Sequence, residues 1–225
     1  MNRIRVLFVA CGMWFSLLSL AASVEAGTIA LWTFETSVPT TPGPIAPEVG
    51  SGVGTSVHAN TTGTHSNPSG NGSAESWNSN TWSIGDYYQF RVSTLGEHGI
   101  TFSWDQTRSS AGPGQPSPNT PNFRLQYSTD GSNFTDHWDY LVPVVTWDSS
   151  VANVSTQYSQ DLSAITSLDN QASVYFRLTA IQAPQNTGGQ SRVDNVKVTS
   201  IPEPTGIVLV VAGLLATVLL RRPPT

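Results

Sequence analysis

The sequence predicts an all-β fold, an antiparallel β-sandwich, for residues 27–200 of this 225-residue chain. Three observations support that fold class. The segment is rich in Ser, Thr, Asn and Gly and contains few long helix formers. Several short runs alternate apolar with polar residues at a period of two, as half-buried antiparallel strands do. Gly, Pro, Asn and Asp residues separate these runs at a spacing typical of β-sandwiches.

Residues 1–26 have the three parts of a secretory signal peptide. Arg3 and Arg5 form a basic start, residues 6–22 are apolar, and residues 24–26 (VEA) offer a small-residue cleavage site. The only cysteine, Cys11, lies inside the apolar run. A lipoprotein would be cleaved just before that cysteine, yet the run continues well past it. We therefore expect an ordinary signal peptide, and an exported chain with no cysteine for disulfides or thiolate metal sites.

The strands of the exported domain are predicted in order from composition and period. Residues 28–35 (TIALWTFE) are β-branched and aromatic and open the domain. Residues 48–76 lack periodicity and are predicted to form a long loop with one short strand at 53–59. The Asp130-Gly131 pair predicts a hairpin turn between two strand-like runs. The remaining strands are predicted at residues 87–92, 100–104, 123–127, 140–147, 154–162, 173–181 and 192–199.

The charge balance of the chain is acidic, with a formal net charge of -5 at pH 7. Binding to nucleic acid depends on clustered positive charge that neutralises phosphates. The exported domain contains more acidic than basic residues and has no basic run. The composition therefore argues against nucleic acid as a partner.

The C-terminal segment, residues 201–225, predicts a short transmembrane helix. A helix over residues 206–220 would be roughly 22 Å long, shorter than the roughly 30 Å hydrocarbon core of a bilayer. It would lack the polar face of a helix packed on a protein core, and arginines after it suit the cytoplasmic side of a membrane. The flanking residues are Pro202, Glu203 and Pro204 before the apolar run, and Arg221 and Arg222 after it.

This order of proline-flanked glutamate, apolar helix and basic end closely resembles the PEP-CTERM sorting signal of Gram-negative bacteria. The resemblance implies recognition and cleavage near residues 202–204 by an exosortase, a membrane transpeptidase-like protease. Release of the protein or its transfer to the cell surface would follow. The chain departs from the pattern in continuing for three residues after the arginines. The implied location is the outside of the inner membrane, with transient anchoring and then the cell surface or extracellular matrix.

The exported domain resembles, more loosely, the jelly-roll modules of secreted bacterial proteins, including galactose-binding-like and carbohydrate-binding modules. The resemblance rests on residues 28–35 (TIALWTFE), 123–134 (FRLQYSTDGSNF), 173–180 (SVYFRLTA) and 192–198 (RVDNVKV). Many such modules hold a structural calcium ion partly through one carboxylate on the first strand and one on the last. The resemblance assigns those two positions to Glu35 and Asp194.

The strand period supplies a separate reason to single out these two carboxylates. In regular strands Glu35 would face the same side as Leu31, and Asp194 the same side as Val196. A carboxylate facing the core is unfavourable unless it is paired or bound to metal, and calcium takes oxygen ligands of this kind. Two alternatives remain open at this stage. A β-bulge would turn Asp194 outward, and Arg192 or Arg177 would neutralise it.

Tryptophan residues are the strongest indication of a ligand in the exported domain. Two of them, Trp32 and Trp104, lie in predicted strands and are expected in the core. Exposed aromatic rings stack on sugar faces in carbohydrate-binding sandwiches, and a large exposed ring needs a reason. The alternative is that the rings cap the ends of the core. The candidate ligand-binding residues, which lie in or beside polar loops, are Trp77, Trp82, Trp138 and Trp147.

No recognisable catalytic motif occurs, whether a nucleophile elbow, a phosphate loop or a zinc-binding helix. His58 and His65 are expected to be solvated loop residues, with a metal pair as the alternative. Carboxylates that a glycosidase would need are present at Asp105, Asp136, Asp139 and Asp148. We therefore expect a non-enzymatic surface or matrix protein that binds extracellular polysaccharide. The alternative is a secreted glycan-active hydrolase or its accessory domain.

Overall fold

A computed structural model describes residues 26–114 and 119–202 of the chain. The described residues do not include residues 1–25 of the predicted signal peptide, the apolar run at 206–220, or Glu203, Pro204, Arg221 and Arg222. Within them, no helix is long and apolar enough to cross a membrane. The described residues form two antiparallel β-sheets packed face to face, which confirms the predicted sandwich.

The larger sheet has seven strands, and its longest strand is also its centre. Strand β12 (Gln190–Pro202) pairs with β7 (Glu97–Arg108) along one side, and with β1 (Gly27–Trp32) and β5 (Trp77–Asn80) along the other. The strands of this sheet are β1 (Gly27–Trp32), β2 (Val49–Gly50), β4 (His65–Ser66), β5 (Trp77–Asn80), β7 (Glu97–Arg108), β10 (Gln157–Asp161) and β12 (Gln190–Pro202). The last strand therefore extends to Pro202, beyond the predicted end at residue 199.

The smaller sheet has five strands in the order β3, β6, β11, β8 and β9. These strands are β3 (Val53–Val57), β6 (Tyr87–Val92), β8 (Phe123–Ser128), β9 (Thr135–Tyr140) and β11 (Val174–Ala180). The predicted strand at 140–147 is wrong, because the edge strand lies before it, at β9. Residues 135–140 (TDHWDY) are too polar to resemble a strand in isolation. Their charged side chains find a partner only on β8, as described below.

Aromatic side chains from both sheets fill the space between them. Phe102 of β7 and Phe176 of β11 stack across the interface with ring centroids 4.6 Å apart. Both are fully buried, as are Trp32 and Trp104, the two tryptophans expected in the core. Burial of one such side chain contributes about 1.5–3 kcal/mol to the free energy of unfolding. The period of two in the sequence thus correctly identifies the inward-facing residues of β6, β7 and β8.

A β-bulge in β12 changes the side on which Asp194 lies. Asn195 has a left-handed φ of 49°, and the register with β7 shifts between Asp194 and Lys197. Val193 and Val196 consequently both face the core, while Asp194 faces the outside of the sheet. The inward orientation expected from strand parity is wrong, and the bulge left open as an alternative is what the chain adopts.

Glu35 also lies elsewhere than strand parity predicts. Strand β1 ends at Trp32, and Phe34 adopts a left-handed φ of 61° that turns the chain away from the sheet. Phe34 is buried, and Glu35 is exposed to solvent. The expectation that Glu35 faces the core from a regular strand is therefore wrong.

Candidate functional site

Three of the four tryptophans predicted to bind ligand are buried. Trp77, Trp82 and Trp147 are respectively 0%, 3% and 4% exposed. Each indole N–H donates to an internal oxygen atom, at 3.3, 3.0 and 2.9 Å in the same order. Trp77 and Trp82 belong to the core, which agrees with the alternative interpretation, whereas Trp147 is buried outside that core cluster. None of the three rings presents a face to a sugar.

Trp138 is half-buried at the edge of the sandwich. Its ring stacks on Tyr140, with centroids 5.1 Å apart and an interplanar angle of 19°. Trp104 and Tyr158 pack against it from the opposite sheet. The ring is therefore committed mainly to this aromatic cluster, and the indole-based site predicted from the sequence is not assembled by the fold.

The outer face of the five-stranded sheet is the better candidate for a binding surface. Cross-strand register places its outward side chains in three rows across β6, β11 and β8. The side chains of this outer face are Arg91, Tyr175 and Ser128 in the first row, Gln89, Arg177 and Gln126 in the second, and Tyr87, Thr179 and Arg124 in the third. Such a surface combines aromatic rings with amide, hydroxyl and guanidinium donors.

Arg177 is held near the middle of the outer face by two aromatic rings. Its guanidinium carbon lies 3.9 Å from the ring centroid of Tyr87 and 3.4 Å from that of Phe134. Its Nε donates to Gln89 Oε1 at 2.9 Å. Partial burial lowers the pKa of Arg177, although an arginine stays charged at neutral pH. The two half-buried rings therefore orient a cation at the surface, an arrangement worth about 0.5–2 kcal/mol for each cation–π contact.

The edge of the outer face carries a second arginine, with both of its carboxylate partners on β9. Arg124 forms ion pairs with Asp136 and Asp139. The hydrogen bond from Arg124 lowers the pKa of Asp139, and the same contact raises the pKa of Arg124. Gln126 Nε2 donates to Asp136 Oδ1 at 2.7 Å, and Gln126 Oε1 accepts from Thr179 Oγ1 at 2.7 Å. This network fixes the side chains of three adjacent strands.

The outer face carries three arginines, Arg91, Arg124 and Arg177, beside the carboxylates of Asp136 and Asp139. Both carboxylates pair with Arg124, whereas Arg91 and Arg177 have no ion-pair partner among residues 26–114 and 119–202. Arg91 is exposed to solvent. The exposed Arg91 guanidinium and the Arg177 guanidinium between its two rings suit a ligand with hydroxyl groups, apolar ring faces and negative charge.

A different acidic cluster lies on the outside of the seven-stranded sheet, beneath the loop at residues 69–76. Asp105 of β7 and Asp194 of β12 are directly opposite each other in the ladder, and they are 5% and 0% exposed. Asn71 donates its backbone N–H to Asp194 Oδ2 at 2.8 Å and its side-chain Nδ2 to Asp105 Oδ2 at 2.9 Å. Ser73 Oγ donates to Asp194 Oδ2 at 2.6 Å. We refer to these residues as the buried acidic pair and its covering loop.

The buried acidic pair favours the protonated state. Burial raises the pKa of Asp194 to about 7, against the hydrogen bonds from Ser73, Asn71 and Asn195, and the neighbouring Asp105 raises it further. Burial also raises the pKa of Asp105. Neither Arg192 nor Arg177 forms an ion pair with Asp194 in the part of the chain that the structure describes. The pair is thus stabilised by neutral donors alone.

The predicted calcium ligands, Glu35 and Asp194, contact the same covering loop. Glu35 Oε1 accepts the backbone N–H of Glu75 at 2.9 Å, while Asp194 binds Ser73. Carboxylate, hydroxyl and carbonyl oxygens of this kind suit calcium. No group of three or more His, Cys, Asp or Glu residues arranged to hold a metal occurs within the described ranges. Hydrogen-bond donors already satisfy both oxygens of Asp194, so the calcium site stays a prediction.

The other residues singled out for chemistry have structural partners. Asp136 and Asp139 bind Arg124, and the exposed Asp148 accepts the N–H of Ser150 at 2.7 Å. His58 is not solvated, because its side chain is 5% exposed. No local sequence pattern indicates the outer face, because its residues are separated along the chain and meet only through strand pairing.

Comparisons with known proteins identify no family for the chain. No family model matches it, and no curated protein matches it. Several solved structures are similar to it in part. The K3 cleaved adhesin domain of Lys-gingipain from Porphyromonas gingivalis is 14% identical, with a TM-score of 0.41, over 77% of this chain and 100% of that one.

Two carbohydrate-binding structures are also similar to the chain. The tandem CBM22 domains of Xyn10C from Paenibacillus barcinonensis are 11% identical, with a TM-score of 0.42, over 83% of this chain and 50% of that one. The CBM61 module solved with β-1,4-galactotriose is 9% identical, with a TM-score of 0.35, over 65% of this chain and 81% of that one. Similarity at this level leaves the ligand to be argued from the chain's own residues.

Proposed function

We propose that this chain is an exported surface or matrix protein whose β-sandwich binds an acidic extracellular polysaccharide. The observation that carries the proposal is the outer face of the five-stranded sheet. There Arg177 is oriented by Tyr87 and Phe134, and Arg91 remains exposed without an ion-pair partner among the described residues. Guanidinium groups bind sugar carboxylates through paired hydrogen bonds, and tyrosine rings provide apolar surface for sugar faces.

The protein would bind this ligand at the cell surface or after secretion. The sorting part rests on the PEP-CTERM-like order of Pro202, Glu203 and Pro204, the apolar run at 206–220, and the final arginines. Strand β12 extends to Pro202, so the segment at residues 202–204 begins at the last residue of that strand. An exosortase would then act close to the folded domain, after export by the signal peptide at 1–26 and transient anchoring by the apolar run.

Binding is tested with the purified full-length protein on an array of neutral and uronate-containing polysaccharides. We expect uronate-containing chains to bind more tightly, and their affinity to fall as salt rises, because charge attraction is screened. Arg91→Ala and Arg177→Ala should each weaken binding to acidic chains. Lys197→Ala is the matched control, since it removes a positive charge from the other sheet. Equal loss in all three variants, or preference for neutral chains, contradicts the proposal.

Processing is tested separately by mass spectrometry of the mature protein from its native host. We expect a new C-terminus near residues 202–204 and an N-terminus at residue 27. Replacement of Glu203 by Gln should leave the apolar segment attached. A mature protein that retains both ends contradicts the sorting proposal and leaves the glycan proposal to its own test.

A second candidate function, glycan hydrolysis, has a distinct readout. Release of reducing sugar from a bound polysaccharide would favour it, with loss of activity on mutation of one carboxylate. Asp136 and Asp139 are the accessible carboxylates of the outer face, and both are paired with Arg124. Binding without turnover supports the non-enzymatic role for this face.

A further inference from the structure

A hydrogen-bonded chain of Ser56, His58 and Asp86 lies at one end of the sandwich, away from the outer face. Ser56 Oγ is 2.9 Å from His58 Nε2, and His58 Nδ1 is 3.2 Å from Asp86 Oδ2. The three residues are 5%, 5% and 3% exposed, the value for His58 being that of its side chain. The order of atoms, hydroxyl to Nε2 and Nδ1 to carboxylate, is that of a serine nucleophile activated by histidine.

Strand geometry explains why these residues meet. Ser56 and His58 are two positions apart at the end of β3, so their side chains extend to the same side. Asp86 immediately precedes β6, the strand that pairs with β3. The Asp86 carboxylate also accepts the backbone N–H groups of Ala59 at 2.8 Å and Ser83 at 2.6 Å. Asp86 is therefore held in place independently of the histidine.

The partners of the His58 ring determine its tautomer. An ionised carboxylate only accepts hydrogen bonds, so Nδ1 carries the hydrogen that faces Asp86. Nε2 is then left as an acceptor, and the Ser56 hydroxyl donates to it. Trp82 packs edge-on against the imidazole with ring centroids 4.6 Å apart. The ring is thus fixed with its basic nitrogen directed at the serine oxygen.

A pocket of about 320 Å³ adjoins the hydrogen-bonded residues Ser56, His58 and Asp86, and both Ser56 and His58 line it. Pro42 and Val57 supply apolar walls, and Asn60 supplies an amide. Asn60 Oδ1 accepts from Thr62, whereas its Nδ2 has no partner among the described residues. The volume is at the small end of ligand pockets, which run from about 300 to 1,000 Å³. A short acyl group fits such a site better than a sugar chain.

We propose that Ser56, His58 and Asp86 form a nucleophilic site that hydrolyses short-chain carboxylic esters. Ser56 Oγ attacks the ester carbonyl carbon while its proton passes to His58 Nε2. The carbon–oxygen bond of the ester breaks, and His58 returns the proton to the departing alcohol. Water then attacks the acyl-serine by the same route, releases the carboxylic acid and restores the Ser56 hydroxyl. Asp86 is a positioning residue, and Asn60 Nδ2 is the donor available to the carbonyl oxygen.

His65 adds no competing charge beside this site. Its ring centroid is 5.7 Å from that of His58. Burial, together with the neighbouring His58, lowers the pKa of His65 to about 4. His65 is therefore neutral at pH 7, so it does not oppose the positive charge that develops on His58 during attack.

The proposal is tested by treating the purified full-length protein with a fluorophosphonate, which phosphonylates activated serines. We expect one phosphonyl group per chain, located at Ser56 by peptide mass spectrometry. Ser56→Ala should abolish the adduct, and His58→Gln should slow its formation by about 100-fold or more. Hydrolysis of p-nitrophenyl acetate should fall in parallel in both variants.

Two controls separate the nucleophile from structural and background effects. Ser159→Ala removes an exposed hydroxyl from β10, and His137→Gln removes a surface imidazole from β9. Both variants should react with the fluorophosphonate at the same rate as the wild-type protein. Thermal midpoints show that each variant is folded. If the folded protein gives no adduct at Ser56, or if His58→Gln reacts at the full rate, the chain of hydrogen bonds is structural and the proposal is wrong. Polysaccharide binding is unaffected by either result.

Discussion

The outer faces of the two sheets hold acidic residues in opposite settings. On the five-stranded sheet, Asp136 and Asp139 are exposed and share Arg124. On the seven-stranded sheet, Asp105 and Asp194 are buried side by side and receive neutral donors only. The Arg124 guanidinium lowers the pKa of Asp139, whereas burial raises the pKa of Asp105 and Asp194. Carboxylates thus form exposed ion pairs on one sheet and hold the covering loop on the other.

Asp194 and Asp139 should give the free energy of unfolding opposite dependences on pH, and the effect of Asp194 is the largest that we expect. The pKa of Asp194 is about 7 in the folded chain, against an ordinary value of 3.8. Between pH 3.8 and about 7, Asp194 is mainly protonated in the folded state and mainly ionised in the unfolded state. The free energy of unfolding should therefore fall as pH rises through this window, by up to about 1.4 kcal/mol per pH unit. Urea denaturation from pH 4 to 8 in metal-free buffer measures it.

Substitutions at the two pairs separate their contributions. Asp194→Asn removes the titrating group and should flatten the pH dependence between 4 and 7. Asp139→Asn should leave the fall in place, because the lowered pKa of Asp139 contributes stability that is lost only under more acidic conditions. An unchanged slope in Asp194→Asn would contradict the assignment of this titration to the buried acidic pair.

The covering loop has no room for a side chain at Gly70, where it packs against the buried acidic pair. A Cβ added at Gly70 would lie 2.0 Å from Ser73 Oγ, 2.2 Å from the Glu75 carbonyl oxygen and 2.3 Å from Asp194 Oδ2. We expect Gly70→Ala to lower the free energy of unfolding by about 3 kcal/mol. The control is Gly188→Ala, whose Cβ would meet only Asn186 Oδ1 at 3.4 Å. Similar losses in the two variants would show that the loop is not packed as described.

Calcium binding would affect the buried acidic pair and leave the exposed pair, Asp136 and Asp139, unchanged. If the ion binds Asp194 and Glu35, excess chelator should lower the thermal midpoint. The lost stabilisation is about 2.7 kcal/mol when free calcium is one hundred times its Kd. The effect should be larger at pH 8 than at pH 5, because calcium requires ionised carboxylates. Asp194→Asn should abolish the response. A midpoint that does not move in chelator at pH 8 excludes the calcium prediction.

The fold was largely predictable from the sequence because inner-face residues repeat at a period of two. Strands β6, β8 and β11 follow that pattern, and their predicted bounds agree closely with those observed. Strand β9 does not, since its outward carboxylates become favourable only beside Arg124 on β8. The bulge at Asn195 was equally hidden, because a single residue with a left-handed φ leaves no periodic signal.

The candidate sites were less predictable because they form between distant parts of the chain. Trp77 and Trp82 have polar neighbours in sequence, yet loops and the second sheet bury both rings. Ser56 and His58 are close in sequence, whereas strand pairing brings Asp86 to them. A search for short motifs finds none of these contacts. Sequence reasoning predicts a sorting segment, whose parts are contiguous, and does not point to the outer face.

The smallest effect should come from the exposed ion pairs at the edge of the outer face. Arg124→Ala removes both contacts to Asp136 and Asp139, whose side chains are 53% and 40% exposed. Water solvates the freed carboxylates, so the free energy of unfolding should fall by less than about 1 kcal/mol. The difference from the unmodified protein should shrink further in high salt, which screens the pairs. If Arg124→Ala lowers the free energy of unfolding as much as Gly70→Ala does, the Arg124 ion pairs contribute as much to stability as the packing of the covering loop on the buried acidic pair.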